Sequence, residues 1–290
     1  MFNFIKKRLI HRALSKALLK AKKQPEICVD KIVVFSDHHK GIRDASDDFR
    51  SSEPAYLKAL DYYEQHGYTL ILLGDSEEFW EVPLEKVIEV NSPILKKEAL
   101  FFKKGLYYRV FGNHDDVWAS KRKVKKYLSK DYPGLITYES IIITVGNKHF
   151  FLVHGHQGEL LSDHLRYISK LIVKWFWRPY QIITKKKLSR LSGNLKDIQW
   201  HDTAIYSWAV KHKNLVTIAG HTHRPIWLSL SHEEQQKQTI PKRKPCYFNT
   251  GCCSFSDGDI TGIEITAGGM QLIKFSSQSL TPIVLAEQND

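Results

Sequence analysis

The 290-residue sequence contains few cysteines and no long apolar run. Its four cysteines are too sparse for the disulfide frameworks of small secreted domains, which favours a reducing, cytoplasmic location. The most apolar stretches, such as residues 68–73, fall far short of the ~18 residues that a membrane span requires. Apolar residues make up 42% of the chain and charged residues 26%, which is typical of a globular protein and excludes a disordered or collagen-like chain.

Acidic residues are absent from two segments that hold much of the positive charge. Residues 1–23 contain eight Lys and Arg, and residues 164–196 contain nine. The rest of the chain has 26 basic and 31 acidic residues, although the net charge of the whole is +12. This distribution argues against a general nucleic-acid partner and indicates two localised electrostatic surfaces.

Residues 1–24 are predicted to form a basic amphipathic helix. Apolar residues recur there at helical spacing, at Phe2, Ile5, Leu9, Ala13 and Ala17. The segment lacks the uncharged core of a secretory signal. Three interpretations remain: a helix that packs on the rest of the protein, a mitochondrial-type presequence, or an anchor on the anionic inner face of a membrane. The third draws on roughly 1 kcal/mol of attraction per basic residue.

After Pro25, short apolar runs alternate with helical patterns, as in an α/β domain with buried strands. This domain is predicted over residues 28–275, with a helix over 53–65 and a polar loop over 231–245. Core strands are predicted at 32–35, 70–73, 107–111, 150–153 and 215–219. Later strands are predicted at 225–230, 246–249, 262–265 and 270–275. A basic aromatic insertion at about 158–200 and a C-terminal surface tail at 276–290 complete the organisation.

Each predicted core strand is followed by polar residues that could bind a metal. They are Asp37, His38 and His39; Asp75 and Glu78; Asn113, His114 and Asp115; His154 and His156; and His221 and His223. Ligands bind at the carboxyl ends of strands in open α/β sheets. Packing alone would favour apolar residues at these positions, so the sequence predicts a functional site there.

The order and spacing of these residues resemble the calcineurin-like metallophosphoesterases. That family's pattern is D-x-H, GD-x-x-D/E, GNHD/E, H-G and GH-x-H, and the resemblance runs from about residue 30 to 251. It implies a four-layer αββα fold, with two packed mixed β-sheets flanked by helices. It also implies a metal-dependent phosphoesterase in which a hydroxide bridging two metal ions attacks a phosphate or pyrophosphate ester.

The resemblance also implies the ligands of both ions. One set is Asp37, His39, Asp75 and His223, and the other is Asp75, Asn113, His154 and His221. The mixed nitrogen and oxygen ligands suit manganese, with iron or zinc as alternatives.

The resemblance assigns further roles around the metals. His114 would protonate the leaving oxygen or bind the phosphoryl group, with Asp115 orienting its ring. Asn113 would also contact substrate, and Glu78 would support the site. Lys40 and Arg43 follow the first motif, where they could meet a substrate phosphate or belong to a solvated loop.

The substrate is less defined. The basic aromatic insertion, which contains Arg166, could cover a lipid-like anionic substrate, or its aromatic residues could fill the core. This insertion and Trp80, in a GD-x-x-E-x-W pattern, are similar to the UDP-2,3-diacylglucosamine pyrophosphatase branch, although that branch commonly has Arg in place of His114. It implies a UDP-diacylglucosamine-type pyrophosphate substrate, and Trp80 and Arg166 are predicted to contact the substrate.

Two alternatives to that substrate remain. One is a soluble phosphoprotein phosphatase or nucleotide phosphodiesterase. The other is a non-catalytic membrane-associated scaffold, against which the complete ligand set argues.

Overall fold

A computed structural model describes residues 2–158, 195–231 and 244–289. Its described helices are α1 Phe2–Ala21, α2 Glu53–Gln65, α3 Leu84–Val90, α4 Ser92–Lys103, α5 Lys121–Leu128 and α6 Leu195–Ala209, with 3-10 turns at Asp48–Ser51 and Asp116–Ala119. Its described strands are β1 Ile27–Cys28, β2 Lys31–Phe35, β3 Thr69–Leu73, β4 Tyr107–Val110, β5 Thr137–Tyr138, β6 Ser140–Val145, β7 Lys148–Val153, β8 Val216–Ala219, β9 Pro225–Trp227, β10 Leu230–Ser231, β11 Tyr247–Thr250, β12 Ile260–Thr266, β13 Gly269–Phe275 and β14 Ile283–Asn289.

The strands form two seven-stranded mixed sheets. One has the order β1-β6-β7-β8-β11-β9-β10 and the other β14-β13-β12-β2-β3-β4-β5. Strands β2, β3 and β4 are mutually parallel, and so are β7, β8 and β11. The carboxyl ends within each parallel set therefore meet at one sheet edge, where binding sites form in such folds.

Alternate side chains of a central strand belong to different apolar layers of the fold. In β2, Ile32 and Val34 belong to the apolar cluster between the two sheets, whereas Val33 and Phe35 belong to the cluster under α2 and α4. Successive side chains of a strand point to opposite faces. The predicted α/β fold, with two mixed sheets flanked by helices, is confirmed.

The N-terminal helix α1 packs on the rest of the protein. Ile10 and Leu14 are almost completely buried against Phe151 of β7 and Trp208 of α6. The buried side of the helix differs from the predicted apolar stripe, since Ile5 is 49% exposed. Among the described residues, no helix is long and apolar enough to cross a membrane.

Two further predictions are affected by the structure. The predicted surface tail is wrong for Ile283–Asn289, because β14 pairs antiparallel with β13 as an edge strand. Most of the predicted insertion at 158–200 and of the predicted loop at 231–245 lies outside the described residues.

Candidate metal centre

The predicted ligands lie in the loops that follow β2, β3, β4, β7 and β8. Several have a left-handed backbone: φ is 54° at Asp37, 50° at His39, 49° at Asp75, 70° at His221 and 55° at His223. Residues other than glycine seldom adopt this conformation. Such strain persists where the surrounding structure holds it, and it clusters at functional sites.

Glycines allow these loops to approach one another. A Cβ atom on Gly112 would lie 2.7 Å from the backbone nitrogen of Asp75 and 2.7 Å from Cδ2 of His154. A Cβ atom on Gly74 would lie 2.5 Å from the His154 ring. The loops after β3 and β4 therefore contact His154 only because neither glycine has a side chain.

Asp37, His39 and His223 form one group of converging side chains. Their potential ligand atoms all lie within 4.8 Å of one another. The Nε2 atom of His223 is 3.2 Å from Oδ1 of Asp37 and 3.1 Å from Nε2 of His39. The other carboxylate oxygen of Asp37 accepts a hydrogen bond from the backbone N–H of His221, at 2.8 Å, which fixes the orientation of the carboxylate.

Asp75, His154 and His221 form a second group. The Nε2 atom of His154 lies 3.1 Å from Oδ2 of Asp75. The Nδ1 atom of His154 lies 2.8 Å from the carbonyl oxygen of Leu73 and donates to it, which leaves Nε2 available as a ligand. Asp75 also belongs to a third group, with His39 and His114, so it lies between the two sets of histidines.

The charges of the site hold its carboxylates ionised. Burial would raise the pKa of Asp75, but the neighbouring His154 and His114 lower it well below its usual range. Burial lowers the pKa of His154, and the negative charges of Asp75 and Asp37 overcome this and raise it to about 9. Ionised carboxylates are the form that binds a cation.

The residues fit a pair of divalent cations. Oδ1 of Asp37, Oδ1 of Asn113 and Nε2 of His154 are buried and make no hydrogen bond among the described residues. A buried polar atom without a partner is costly, and a bound cation would satisfy all three. Imidazole and carboxylate ligands together suit a first-row transition metal.

His114 lies beside the metal-binding groups. Its backbone N–H donates to Oδ1 of Asp75 at 2.8 Å, and its Nδ1 atom is 2.6 Å from Oε2 of Glu78. The indole of Trp80 stacks on the imidazole, with 4.3 Å between ring centroids and 17° between ring planes. Burial lowers the pKa of His114, but the charges of Glu78 and Asp75 raise it to about 9. The two carboxylates therefore favour the protonated imidazole.

The carboxylate at the His114 ring is Glu78, which corrects the role predicted for Asp115. Asp115 accepts hydrogen bonds from the backbone N–H groups of Gly112 at 2.6 Å and of Ser76 at 3.0 Å. It therefore joins the loop after β4 to the loop after β3 and makes no described contact with the His114 ring. Burial and the charge of Glu77 raise the pKa of Asp115 to about 7.

The prediction that Lys40 contacts substrate is wrong. Lys40 is fully buried, and its Nζ atom lies 2.7 Å from Oε1 of Glu98 and 3.4 Å from Oε1 of Glu77. These carboxylates compensate its charge inside the protein, so the side chain does not reach the cleft.

The other residues predicted to contact substrate lie in different places relative to the cleft. The Arg43 guanidinium is 2.6 Å from Oε2 of Glu53 and donates to Oδ1 of Asn91 at 2.7 Å. It does not line the cleft at the metal-binding groups. Trp80 is 9% exposed, contacts His114 and donates from Nε1 to the carbonyl oxygen of Asn113. Arg166 lies outside the described residues.

His201, on α6, is a neighbour of the site that the sequence analysis did not identify. Its Nε2 atom is 2.8 Å from the carbonyl oxygen of Gly155, and its ring centroid is 5.5 Å from that of His221. No spacing pattern connects His201 with the five motifs. Only the packing of α6 against the loop after β7 brings it to His221.

A family model described as calcineurin-like phosphoesterase matches residues 30–225, which is more than half of the chain. No curated protein matches.

Similar solved structures include a conserved uncharacterized protein of Streptococcus pneumoniae TIGR4, described as a predicted phosphoesterase. It has 16% identity and a TM-score of 0.40, and the match covers 90% of this chain and 98% of that one. A novel archaeal phosphodiesterase has 18% identity and a TM-score of 0.38, with 88% and 99% covered. A cold-active protein-tyrosine phosphatase of a psychrophilic Shewanella has 13% identity and a TM-score of 0.43, with 91% and 83% covered. At these TM-scores the superpositions carry no argument about the site.

Proposed function

The chain belongs to the calcineurin-like phosphoesterase family, and on that premise we propose that it hydrolyses a phosphate ester at a centre of two divalent metal ions. Asp37, His39, Asp75 and His223 would hold one ion. Asp75, Asn113, His154 and His221 would hold the other. The observation that carries this proposal is the position of Asp75, which belongs to converging groups on both sides.

Two divalent ions, when bound, supply Lewis acidity to the phosphoryl oxygens and lower the pKa of a water molecule. Manganese is the metal that we would test first, with iron and zinc next. The protein's own part is to hold the ligands: Leu73 fixes the His154 ring through its carbonyl oxygen, and the backbone of His221 fixes the Asp37 carboxylate.

His114 would act as the proton donor to the leaving oxygen. Its imidazole is held between Glu78 and Trp80, and its raised pKa keeps the proton available at neutral pH. A positioned general acid of this kind contributes about 10²–10⁴-fold in rate. Glu78 and Trp80 would act through His114 as positioning residues.

The cleft itself gives the phosphate little other positive charge. It has a volume of about 100 Å³. None of the described residues that line it is Lys or Arg, whereas its rim includes Asp44, Asp47, Asp48 and Glu81. A dianionic phosphate would meet repulsion there unless metal ions and His114 compensated it. The acidic rim therefore supports a mechanism in which the metal ions are essential for binding as well as for reaction.

The proposed substrate class is a phosphate monoester, diester or pyrophosphate. A lipid-linked UDP-diacylglucosamine-type pyrophosphate was expected from the insertion that contains Arg166, which lies outside the described residues. No described contact favours that substrate over a soluble ester, so the choice is left to experiment.

A substrate panel with metal-reconstituted protein tests the proposal. It would contain an aryl phosphate, an aryl phosphodiester, a cyclic nucleotide and a UDP-diacylglucosamine, with and without anionic vesicles. We expect hydrolysis of at least one member that is abolished by chelation and by Asp75→Asn, whereas the exposed control Asp30→Asn keeps wild-type activity. No hydrolysis of any member by protein that carries two metal ions would contradict the proposal.

A further inference from the structure

One side of α1, beside its buried face, lines a groove of about 370 Å³. Five residues at helical spacing form this wall: Leu9, Arg12, Ala13, Lys16 and Lys20. The described part of the opposite wall consists of Glu139 and residues 156–158, which follow β7. The volume lies within the range of pockets that bind small molecules.

Both walls of the groove are held firmly. Gly158 has a φ of +86°, and a Cβ atom there would lie 2.5 Å from Cα of Ile10. The α1 backbone therefore rests directly on the loop that follows β7. Ile10 and Leu14 anchor the other side of the helix in the apolar cluster with α6.

The groove carries positive charge that its own residues do not compensate. Lys20 lies 2.5 Å from Oε2 of Glu139, which is the only carboxylate among the described lining residues. Arg12 and Lys16 take part in none of the described ion pairs. Two cations therefore remain on the α1 wall, and no acidic residue lies within residues 1–23 to balance them.

A buried donor faces the same groove. Gln157 lines it, is 3% exposed and accepts a hydrogen bond from the backbone N–H of Gly155 at its Oε1 atom, at 3.0 Å. This bond fixes the orientation of the amide, since only the oxygen can accept. The Nε2 atom is then a buried donor without an acceptor among the described residues. A ligand with an acceptor oxygen would satisfy it.

We propose that this groove binds a phosphate group, carried by a phosphate monoester or a diphosphate. Arg12 and Lys16 would compensate its charge, and Nε2 of Gln157 would donate to one of its oxygens. Leu9 and Ala13 would contact the organic part of the ligand. The groove shares no described lining residue with the cleft at the metal-binding groups, and its nearest approach is through His156, whose ring centroid lies 5.4 Å from that of His154.

Titration calorimetry with inorganic pyrophosphate tests the proposal on the full-length protein, as purified and after removal of metal. The double variant Arg12→Gln/Lys16→Gln removes the two charges, and Gln157→Glu keeps the acceptor for Gly155 while replacing the donor with an oxygen. We expect each to weaken pyrophosphate binding to the metal-free protein at least tenfold. The matched control Lys22→Gln/Lys23→Gln removes two charges outside the groove and should change the affinity less than twofold.

Phosphate groups also occur on lipids, and a second arm distinguishes the sources. Protein would be sedimented with phosphatidylcholine vesicles that contain phosphatidic acid, whose headgroup is a phosphate monoester. Sedimentation that is lost in Arg12→Gln/Lys16→Gln but kept in Lys22→Gln/Lys23→Gln, without binding of soluble pyrophosphate, would identify a lipid headgroup as the ligand. Equal behaviour of the groove double variant and its control in both assays, or no binding by wild-type protein in either, would overturn the proposal.

Discussion

Replacing Gly112 with alanine would place a methyl group between two predicted metal ligands. Its Cβ atom would overlap most closely with Oδ1 of Asp75 and would lie 2.7 Å from the Asp75 backbone nitrogen and from His154 Cδ2, whereas ordinary contacts begin at 3.4 Å. Relief of the overlap with the latter two atoms alone requires a displacement of about 0.7 Å, and Oδ1 of Asp75 would have to move further. Metal sites tolerate changes of roughly 0.2 Å in ligand distance. The left-handed backbone is not an issue here, because Gly112 does not adopt it.

We expect Gly112→Ala to lower metal content and to reduce kcat/KM at least ~100-fold, since a 1 Å misplacement can cost that much. This corresponds to about 2.7 kcal/mol of transition-state stabilisation. Elemental analysis and hydrolysis of an aryl phosphate would measure both effects, with circular dichroism to check folding. Gly268→Ala is the matched control, because its Cβ would lie 3.7 Å from the nearest atom. Wild-type metal content and activity in Gly112→Ala would refute the packing argument.

Three other predictions follow from the site and the core. His114→Asn should keep the metals and lower kcat by about 10²–10⁴-fold, whereas Asp75→Asn should also lose metal; equal metal loss in both would contradict the proton-donor role. Glu78→Gln removes a negative charge that raises the pKa of His114, so the alkaline fall of the pH–rate profile should move to lower pH. An alkaline fall at the same pH as in the wild-type protein would exclude this coupling between Glu78 and His114. Leu14→Ala should lower the free energy of unfolding by about 2–5 kcal/mol in denaturant titrations. The control Leu19→Ala, at a residue that is 60% exposed, should lower it by less than ~0.5 kcal/mol. Equal effects of the two variants would contradict the packing of α1 against the rest of the protein.

The sequence predicts the central strands well because each has a strong local pattern. The five strands that precede the motifs lie within two residues of their predicted ends. Buried apolar runs with Gly, Asp, Asn or His at their ends indicate both the strand and its exit. Helix α2 is also found over the predicted residues, Glu53–Gln65.

Long-range contacts decide what the sequence pattern leaves open. Lys40 follows a motif loop, and its burial depends on the carboxylates of Glu77 and of Glu98, which lies on the distant helix α4. The choice between Glu78 and Asp115 as partner of the His114 ring depends on how two loops cross. An isolated motif does not contain this information.

The sequence pattern also leaves the packing of the N-terminal helix and the pairing of the C-terminal strand undetermined. The buried side of α1 is set by α6, which lies about 190 residues away in the chain, so its own periodicity predicts the helix but not the docking face. Strand β14 follows β13 after a connection of seven residues, but residues 283–289 have no alternation of apolar and polar residues that marks them as a paired strand. It becomes a strand because the exposed edge of β13 supplies its hydrogen bonds.

The proposed hydrolysis depends on two metal ions that would share Asp75 as a ligand. The most direct measurement is the activity of metal-free protein titrated with manganese, with bound metal counted at each step. We expect activity on a phosphate ester to rise with occupancy and to saturate at two ions per chain. Full activity in protein without metal, or saturation at one ion, would contradict the claim.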